Sequence, residues 1–414
     1  MKPNFACNYD DIYLVNGART PFGKFMGSLG AVSPTDLGII ASRTAIKKSA
    51  VKPADIDHVV YANIIQASFD AIYIPRHVGL YCGIPSTVPA LLVQRICGSG
   101  FESIISGAEQ IVLEKASIVL AGGAENMTLT PTSSFGNRMG YRLGGLKFGD
   151  MLFEGLYDSA GKCSMGQTAE NLAKKYNISR DDVDEFALRS HSLAVEKLNN
   201  GILAEEIVQI HSGVIETEGL SPRKIRTIPS KKGGLDYDEN IRETNMEQLQ
   251  SLNPTFSKNG VQTAGNSSGI VDGAASVVVA SGDVIKSKGL TPLARIVASA
   301  SAGVEPQLMG IGPAPAIRNV LDRAGLSLDD IDLFEINEAF GAQIVAVERE
   351  LKLDRKKLNV NGGAIAIGHP LAATGARLTH TLALELKRRG KKYGIASACI
   401  GGGQGTSILI ESIR

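Results

Sequence analysis

One cysteine stands among glycines in the stretch Ile96-Cys97-Gly98-Ser99-Gly100. An apolar run from Val88 to Val93 precedes it. After it, Phe101, Ile104, Ile105, Ala108, Ile111 and Val112 recur at spacings of three and four, which lines one face of a helix. Cys97 is therefore expected where a strand or loop turns into a helix. A thiol there meets the positive end of the helix dipole, which favours the nucleophilic thiolate. Gly98 and Gly100 would let the backbone turn tightly and approach a ligand. Taken alone, Cys97 is explained at least as well as a buried structural cysteine.

Three stretches near the other end carry further reactive types at expected strand ends. They are Leu333 to Phe340 with Asn337, Asn361 to Pro370 with His369, and Ile395 to Gly405 with Cys399. Ligands of open α/β sheets bind beyond the carboxyl ends of strands. Each residue also has a plain structural explanation: His369 a hydrogen-bonded histidine before a proline turn, Cys399 a buried strand residue, Asn337 a helix cap. Gly401 to Gly405 is not a phosphate loop, because no helix follows it.

The elements that must position these residues follow an α/β rhythm. Strands are expected at Ile12 to Val15, Val59 to Tyr61, Ser117 to Ala121 (closed by Gly122-Gly123) and Ala275 to Ala280. A helix is expected over 35–50, with Thr35 or Asp36 near its cap. Alternation of this kind predicts a mostly parallel sheet. From 125 to 253 polar residues dominate and the alternation is lost. Helices over 168–176 and 181–199 and an exposed loop over 231–236 are expected within an insertion covering one side of the core.

The chain also repeats itself weakly at an offset of 275 residues. Asp55-Ile56-Asp57 returns as Asp330-Ile331-Asp332, Gly100 as Gly375, and Leu120-Ala121 as Ile395-Ala396. In that register Cys97 falls on Ala372 and Ala124 on Cys399. Two similar halves with an interrupted first half are expected: 1–124 and 254–282 form the first, 125–253 the insertion, and 283–414 the second.

Bulk properties narrow the function classes. The 414 residues are 43% hydrophobic and carry a net charge of +1, which argues against non-specific nucleic-acid binding. The five cysteines form no CxxC pair and no zinc-like spacing, so reduced thiols are expected. The longest uncharged runs are broken by glycine and proline, so no membrane span is expected. With no secretory leader pattern and no peroxisomal tripeptide, a cytoplasmic location is the expectation.

Taken together, six ordered motifs resemble the thiolase family, the acyl-CoA:acetyl-CoA C-acyltransferases. They are Ile96-Cys97-Gly98-Ser99-Gly100, Met165-Gly166-Gln167-Thr168-Ala169-Glu170, Thr263-Ala264-Gly265-Asn266-Ser267-Ser268-Gly269, Asn337-Glu338-Ala339-Phe340, Gly368-His369-Pro370 and Cys399-Ile400-Gly401. The resemblance spans essentially the whole chain. It implies an α/β thiolase fold, a duplicated five-layered α-β-α-β-α core with an inserted loop domain.

It also implies roles. Cys97 becomes acylated, His369 takes its proton, and Cys399 is the acid/base at the α-carbon of acetyl-CoA, where a thiol of ordinary pKa, about 8.5, suffices. His369 with a water held by Asn337 forms one oxyanion hole; the backbone amides of Cys97 and Gly401 form another. Coenzyme A is the substrate carrier, contacted by Arg242, Ser268 and Met165. No metal or redox cofactor is implied. A homodimer or homotetramer is.

Two positions depart from the family pattern: Gln94 stands where Asn is frequent, and Ser164 where short-chain members carry His. Met165, retained at the acyl end, favours short acetoacetyl-type substrates over longer 3-ketoacyl chains. A β-ketoacyl synthase would carry a second histidine in place of Asn337, and a non-catalytic acyl-CoA-binding scaffold would lack one of the reactive residues.

Overall fold

Asp57 accepts hydrogen bonds from the amides of Ser117 and Ile118 at 2.8 and 3.0 Å. Asp332 accepts from Lys392 and Tyr393 at 2.8 and 3.1 Å, and each partner lies 275 residues beyond its counterpart. The repeat is thus a repeat of contacts as well as of letters. The structure, a computed structural model, describes residues 5–141, 143–228 and 234–413.

In chain order the main elements are β1 (Ile12–Arg19), α1 (Pro34–Lys48), β2 (His58–Ala62), α2 (Ile74–Tyr81), β3 (Ala90–Val93), α3 (Ser99–Val112) and β4 (Ile118–Glu125). The insertion contributes α4 (Met151–Gly155), α5 (Met165–Lys175) and α6 (Arg180–Asn199). Then come β5 (Val271–Ser281), β6 (Ala294–Gly303), α7 (Pro313–Ala324), β7 (Leu333–Ile336), α8 (Gly341–Leu351), α9 (Thr374–Arg389), β8 (Tyr393–Ile400) and β9 (Gln404–Ser412). The 275-residue offset carries β4 onto β8 residue for residue and sets α3 on the start of α9.

The strands pair in the order β7-β8-β9-β6-β1-β5-β4-β2-β3, with the two halves meeting at β1 and β6. Only β2–β3, β2–β4 and β7–β8 are parallel along this path. The sheet is therefore mixed rather than mostly parallel. The link from β8 to β9 explains part of this: three residues, Gly401 to Gly403, allow a hairpin but no crossover.

Alternate strand residues enter different cores, as the pleat requires. On β4, Ile118, Leu120 and Ala124 face an outer core built with α1 and α2, while Val119 and Ala121 face the central core. On β9, Ile408 and Ile410 face the central core and Leu409 the second outer core, covered by α7 and α8. Helices α3 and α9 fill the centre and touch strands of both halves. The resulting layers are helix, sheet, helix, sheet, helix, the thiolase fold expected from the motifs.

Several local expectations change. Ser33, not Thr35 or Asp36, caps α1, its hydroxyl accepting from the Asp36 amide at 3.1 Å. Gly122 and Gly123 do not close β4 but lie inside it, fully buried. A Cβ on Gly122 would stand 2.7 Å from the Tyr61 ring, and one on Gly123 would collide with the Ala372 carbonyl. The insertion serves both outer cores: α5 and α6 pack on the second half, while Ile210, Ile225 and Leu235 pack on the first. Of the loop expected over 231–236, residues 231–233 lie outside the described residues. Leu235 is buried, its backbone paired with Ile210 at 2.8 and 2.9 Å. Among the described residues no helix is long and apolar enough to cross a membrane.

Candidate active site

Cys97 occupies the turn between β3 and α3, immediately before the cap residue Gly98. Ile96 has φ of 45°, a left-handed conformation that is strained for a β-branched side chain. Ser99 braces this turn: its hydroxyl accepts from the Arg95 amide and donates to the Ile96 carbonyl, both at 2.7 Å. The glycines around Cys97 serve packing rather than ligand approach. A Cβ on Gly98 would stand 2.5 Å from Cδ1 of Ile400, so this glycine lets the Cys97 turn press on the residue between Cys399 and Gly401. Gly100 abuts Ala372 and Gly375 of the opposite half.

Cys97 opens into a cleft of about 250 Å³ whose walls include Ile64, Ile65, Leu152, Leu156, Leu371 and Met165, with Gly401 at the same floor. The backbone N–H groups of Gly401 and of Cys97 itself are directed at the thiol. Burial nevertheless dominates and pushes the Cys97 thiol up to about 11, with the carboxyl of Glu125 adding to the rise. This shift runs against the thiolate expected from the helix dipole, although Cys97 is only partly buried. Cys399, on β8 and 1% exposed, is raised as well, by burial first and then by the neighbouring Cys97. An ordinary thiol pKa at this position does not hold.

His369 is buried, and burial, then the nearby Arg377 charge, lowers it to about 3. Its Nδ1 is 2.6 Å from Oγ1 of Thr374, whose hydroxyl donates to the Pro370 carbonyl at 3.0 Å. That hydroxyl has spent its proton, so it accepts, and Nδ1 carries the hydrogen. Nε2 is left as a lone pair with no protein partner. Both thiols and the imidazole are thus neutral, and Nε2 of His369 is uncommitted.

Asn337 is fully buried at the end of β7, and neither atom of its amide has a partner. The helix that follows starts only at Gly341 and takes Phe340 as its cap, so Asn337 caps nothing. A buried amide without partners is a site for water or ligand. Met165 lines the cleft, and a Cβ on Gly401 would stand 3.2 Å from its Sδ. Ser268 adjoins His369 in the backbone, since its neighbour Gly269 accepts from the His369 amide at 3.1 Å. Ser268 and Arg242 both lie outside the cleft lining. Arg242 is exposed, with Nη1 3.3 Å from the Asn240 carbonyl.

Sequence inspection missed two supports. Thr374 sits five residues after His369 at the start of α9, and only the fold reveals that its hydroxyl turns back. Glu125, fully buried at the end of β4, accepts from the Ile65 amide at 2.9 Å and the Ala372 amide at 3.2 Å. It ties two cleft walls together beneath Cys97. Burial pushes its carboxyl up to about 8 against those amides. Among the described residues no group of three or more His, Cys, Asp or Glu could hold a metal ion.

Residues 12–283 match the family model described as thiolase, N-terminal domain, and residues 290–412 match thiolase, C-terminal domain. The chain is 46% identical over 403 residues to the mitochondrial 3-ketoacyl-CoA thiolase of Bos taurus, covering 97% of this chain and 98% of that one. It is 41% identical over 406 residues to the acetyl-CoA acetyltransferase of Cupriavidus necator, covering 97% and 99%. The structure of human mitochondrial 3-ketoacyl-CoA thiolase in complex with CoA matches with a TM-score of 0.92 at 45% identity, covering 97% and 98%. The acetyl-CoA acetyltransferase of Bacillus anthracis matches with a TM-score of 0.90 at 42% identity, covering 98% and 100%.

Proposed function

The chain belongs to the thiolase family and is an acyltransferase, and we propose that it cleaves and forms 3-ketoacyl-CoA through an acyl-Cys97 intermediate. In thiolysis the Cys97 sulfur attacks the 3-keto carbonyl as its proton passes to Nε2 of His369. The C2–C3 bond then breaks, its electron pair stays on the acetyl-CoA fragment, and Cys399 protonates that carbon. The thiol of coenzyme A finally attacks the Cys97 thioester and releases a shortened acyl-CoA. The reverse sequence condenses two thioesters.

The partnerless Nε2 of His369, with Nδ1 tied to Thr374, carries this proposal. The fold holds the ring through Nδ1 and leaves uncommitted the nitrogen that the reaction would use. Negative charge on the thioester oxygen falls to two donor sets: the amides of Cys97 and Gly401, and His369 with a water on Asn337. Neutral resting thiols fit a mechanism in which proton transfer and attack occur together, since the thiolate–imidazolium pair stabilises itself only as it forms. The CoA carried by the solved human relative supports coenzyme A thioesters as substrates here. Met165 would stand at the acyl end, and Ser268 and Arg242 would meet the carrier. A homodimer or homotetramer belongs to the same proposal, checked by light scattering.

The substrate range runs from acetoacetyl-CoA to longer 3-ketoacyl chains. The apolar cleft and Ser164, in place of the short-chain histidine, support the longer end. Met165 and the similarity to acetyl-CoA acetyltransferases support the short end. Thiolysis of a 3-ketoacyl-CoA series from four carbons upward tests both. Activity on acetoacetyl-CoA alone would restrict the enzyme to short chains; folded protein inert on the whole series would overturn the function.

A further inference from the structure

Beneath His369 and Asn337 lies a charged pair that the reaction above does not use. Arg377 stands three residues after Thr374 on α9, on the same helix face, and is 2% exposed. Glu335 stands two residues before Asn337 on β7, so the two side chains leave the strand on one side. Leu333 marks that side as the one facing α9, because it packs in the central core with Leu382 and Leu386, whereas Phe334 and Ile336 join the outer core. Nη1 of Arg377 is 3.5 Å from Oε2 of Glu335. Neither oxygen of Glu335 has a hydrogen-bond partner in the protein, nor do Nε and Nη2 of Arg377. Both amide atoms of Asn337 and Nε2 of His369 are likewise buried without a partner.

A long, otherwise unsupported ion pair at this depth does not repay its desolvation, so stability does not explain it. Its neighbours are committed elsewhere. Glu206 is bound to Arg19 and Thr381, both at 2.6 Å. Asp238 is bound to Arg19 at 2.6 and 2.9 Å. Glu338 is held by Ser190 at 2.6 Å and Asn359 at 2.8 Å. Arg189 is the exception: it spends Nη2 on the Arg355 and Leu358 carbonyls, but its Nη1 has no partner and its charge also favours ionised Glu335. Glu335 is the one carboxylate of this group with both oxygens uncommitted.

We propose that Glu335 is a positioning residue for the acyl transfer: its carboxylate offsets the Arg377 charge beneath His369 and thereby sets how readily His369 accepts the Cys97 proton. This rests on the acyl-Cys97 reaction proposed above. The Arg377 charge disfavours imidazolium, and an ionised Glu335 counters it. Burial pushes Glu335 up to about 8, against the pull of Arg377. As pH falls through that value Glu335 becomes neutral, Arg377 keeps only the more distant Glu206 and Asp238 as counter-charges, and His369 becomes a weaker base for Cys97. Internal water between the uncommitted atoms would carry the coupling to Asn337.

The test uses full-length protein: native, Glu335→Gln, Glu335→Asp, and Glu335→Gln combined with Arg377→Met. Two rates are followed from pH 6 to 9.5, alkylation of Cys97 by iodoacetamide and single-turnover acylation by acetoacetyl-CoA. Glu335→Gln should lose the ionisation from the rate profile and react about tenfold or more slowly at the alkaline end, the equivalent of at least one pKa unit at His369. KM should change far less. The double variant should regain most of the rate, because the Arg377 charge is gone. A folded Glu335→Gln enzyme with the native profile overturns the proposal, as does a double variant no faster than the single. Should Glu335→Gln fail to fold, Glu335→Asp decides: a displaced ionisation supports the role and a superimposable profile overturns it. Mass spectrometry of the native acyl-enzyme separates the two levels, since an acyl group found elsewhere than Cys97 sinks the underlying reaction instead.

Discussion

Gly100 of α3 and Gly375 of α9 lie backbone to backbone where the first turns of the two central helices cross. A Cβ on Gly100 would stand 2.7 Å from both the Ala372 carbonyl oxygen and the Gly375 nitrogen, and one on Gly375 would collide with the Phe101 amide. The two residues are 275 apart, the period of the repeat. Their contact links the segment carrying Cys97, three residues before one glycine, to the segment carrying His369, six residues before the other.

Gly375→Ala should therefore lower both stability and activity. Overpacking of this kind costs about 1–3 kcal/mol, read as a shift of the urea midpoint. Gly303→Ala is the control: no atom lies within 4 Å of the added methyl, and a change within about 0.5 kcal/mol is expected. Equal stability of the two variants would contradict the crossing contact.

Thr374→Val removes the acceptor that keeps the hydrogen on Nδ1 of His369. The ring is then free to adopt the wrong tautomer, and kcat should fall about a hundredfold while KM stays near native. Thr374→Ser, which keeps the hydroxyl, should retain most of the rate. Steady-state thiolysis of acetoacetyl-CoA reads both; a native kcat in the valine variant would remove Thr374 from the mechanism.

Gly401→Ala places a methyl 3.2 Å from Sδ of Met165 at the cleft floor. If the crowding displaces the Gly401 amide from the oxyanion, kcat should drop about 10²–10³-fold. Adding Met165→Ala should recover part of the loss. No recovery would mean that the backbone itself, rather than the contact with Met165, carries the defect.

Stability should fall on both sides of neutral pH. Burial holds His369 at about 3 and His380 and His191 at about 4, whereas an unfolded histidine titrates near about 6.5. Below about 6.5 the unfolded chain binds protons that the folded one refuses, so stability is full above that pH and is lost as pH falls toward 4. Each histidine contributes up to about 1.4 kcal/mol per pH unit. Glu125 and Glu335 act the other way. Burial raises both to about 8, so the folded chain keeps protons that unfolded glutamates release above about 4.5, and their contribution fades as pH climbs to 8. Urea midpoints from pH 4 to 9 check the shape, and His380→Gln should flatten the acid limb alone.

Much of the molecule was legible from residue order because the signals were local or periodic. The helix carrying Gly100 and the helices of the insertion follow from apolar spacing, and the repeat from matched letters such as Asp57 and Asp332. Sheet direction was not legible. A buried strand has the same composition whether its neighbour runs parallel or antiparallel, and only short links such as Gly401 to Gly403 betray the hairpin.

By itself, the sequence singled out the candidate reactive groups, Cys97, His369, Cys399 and Asn337, together with the two-halved frame that holds them. Only the tertiary structure decided the state of those groups. Protonation depends on what surrounds a side chain in space, and at Cys97 desolvation outweighs the amides of Gly401 and of Cys97 itself. The same holds for the hydrogen on His369, placed by Thr374, and for the glycines beside Cys97, whose neighbours Ile400 and Gly375 come from the far half. A sequence names which groups are present; the distances between segments remote along the chain set their charge and their partners.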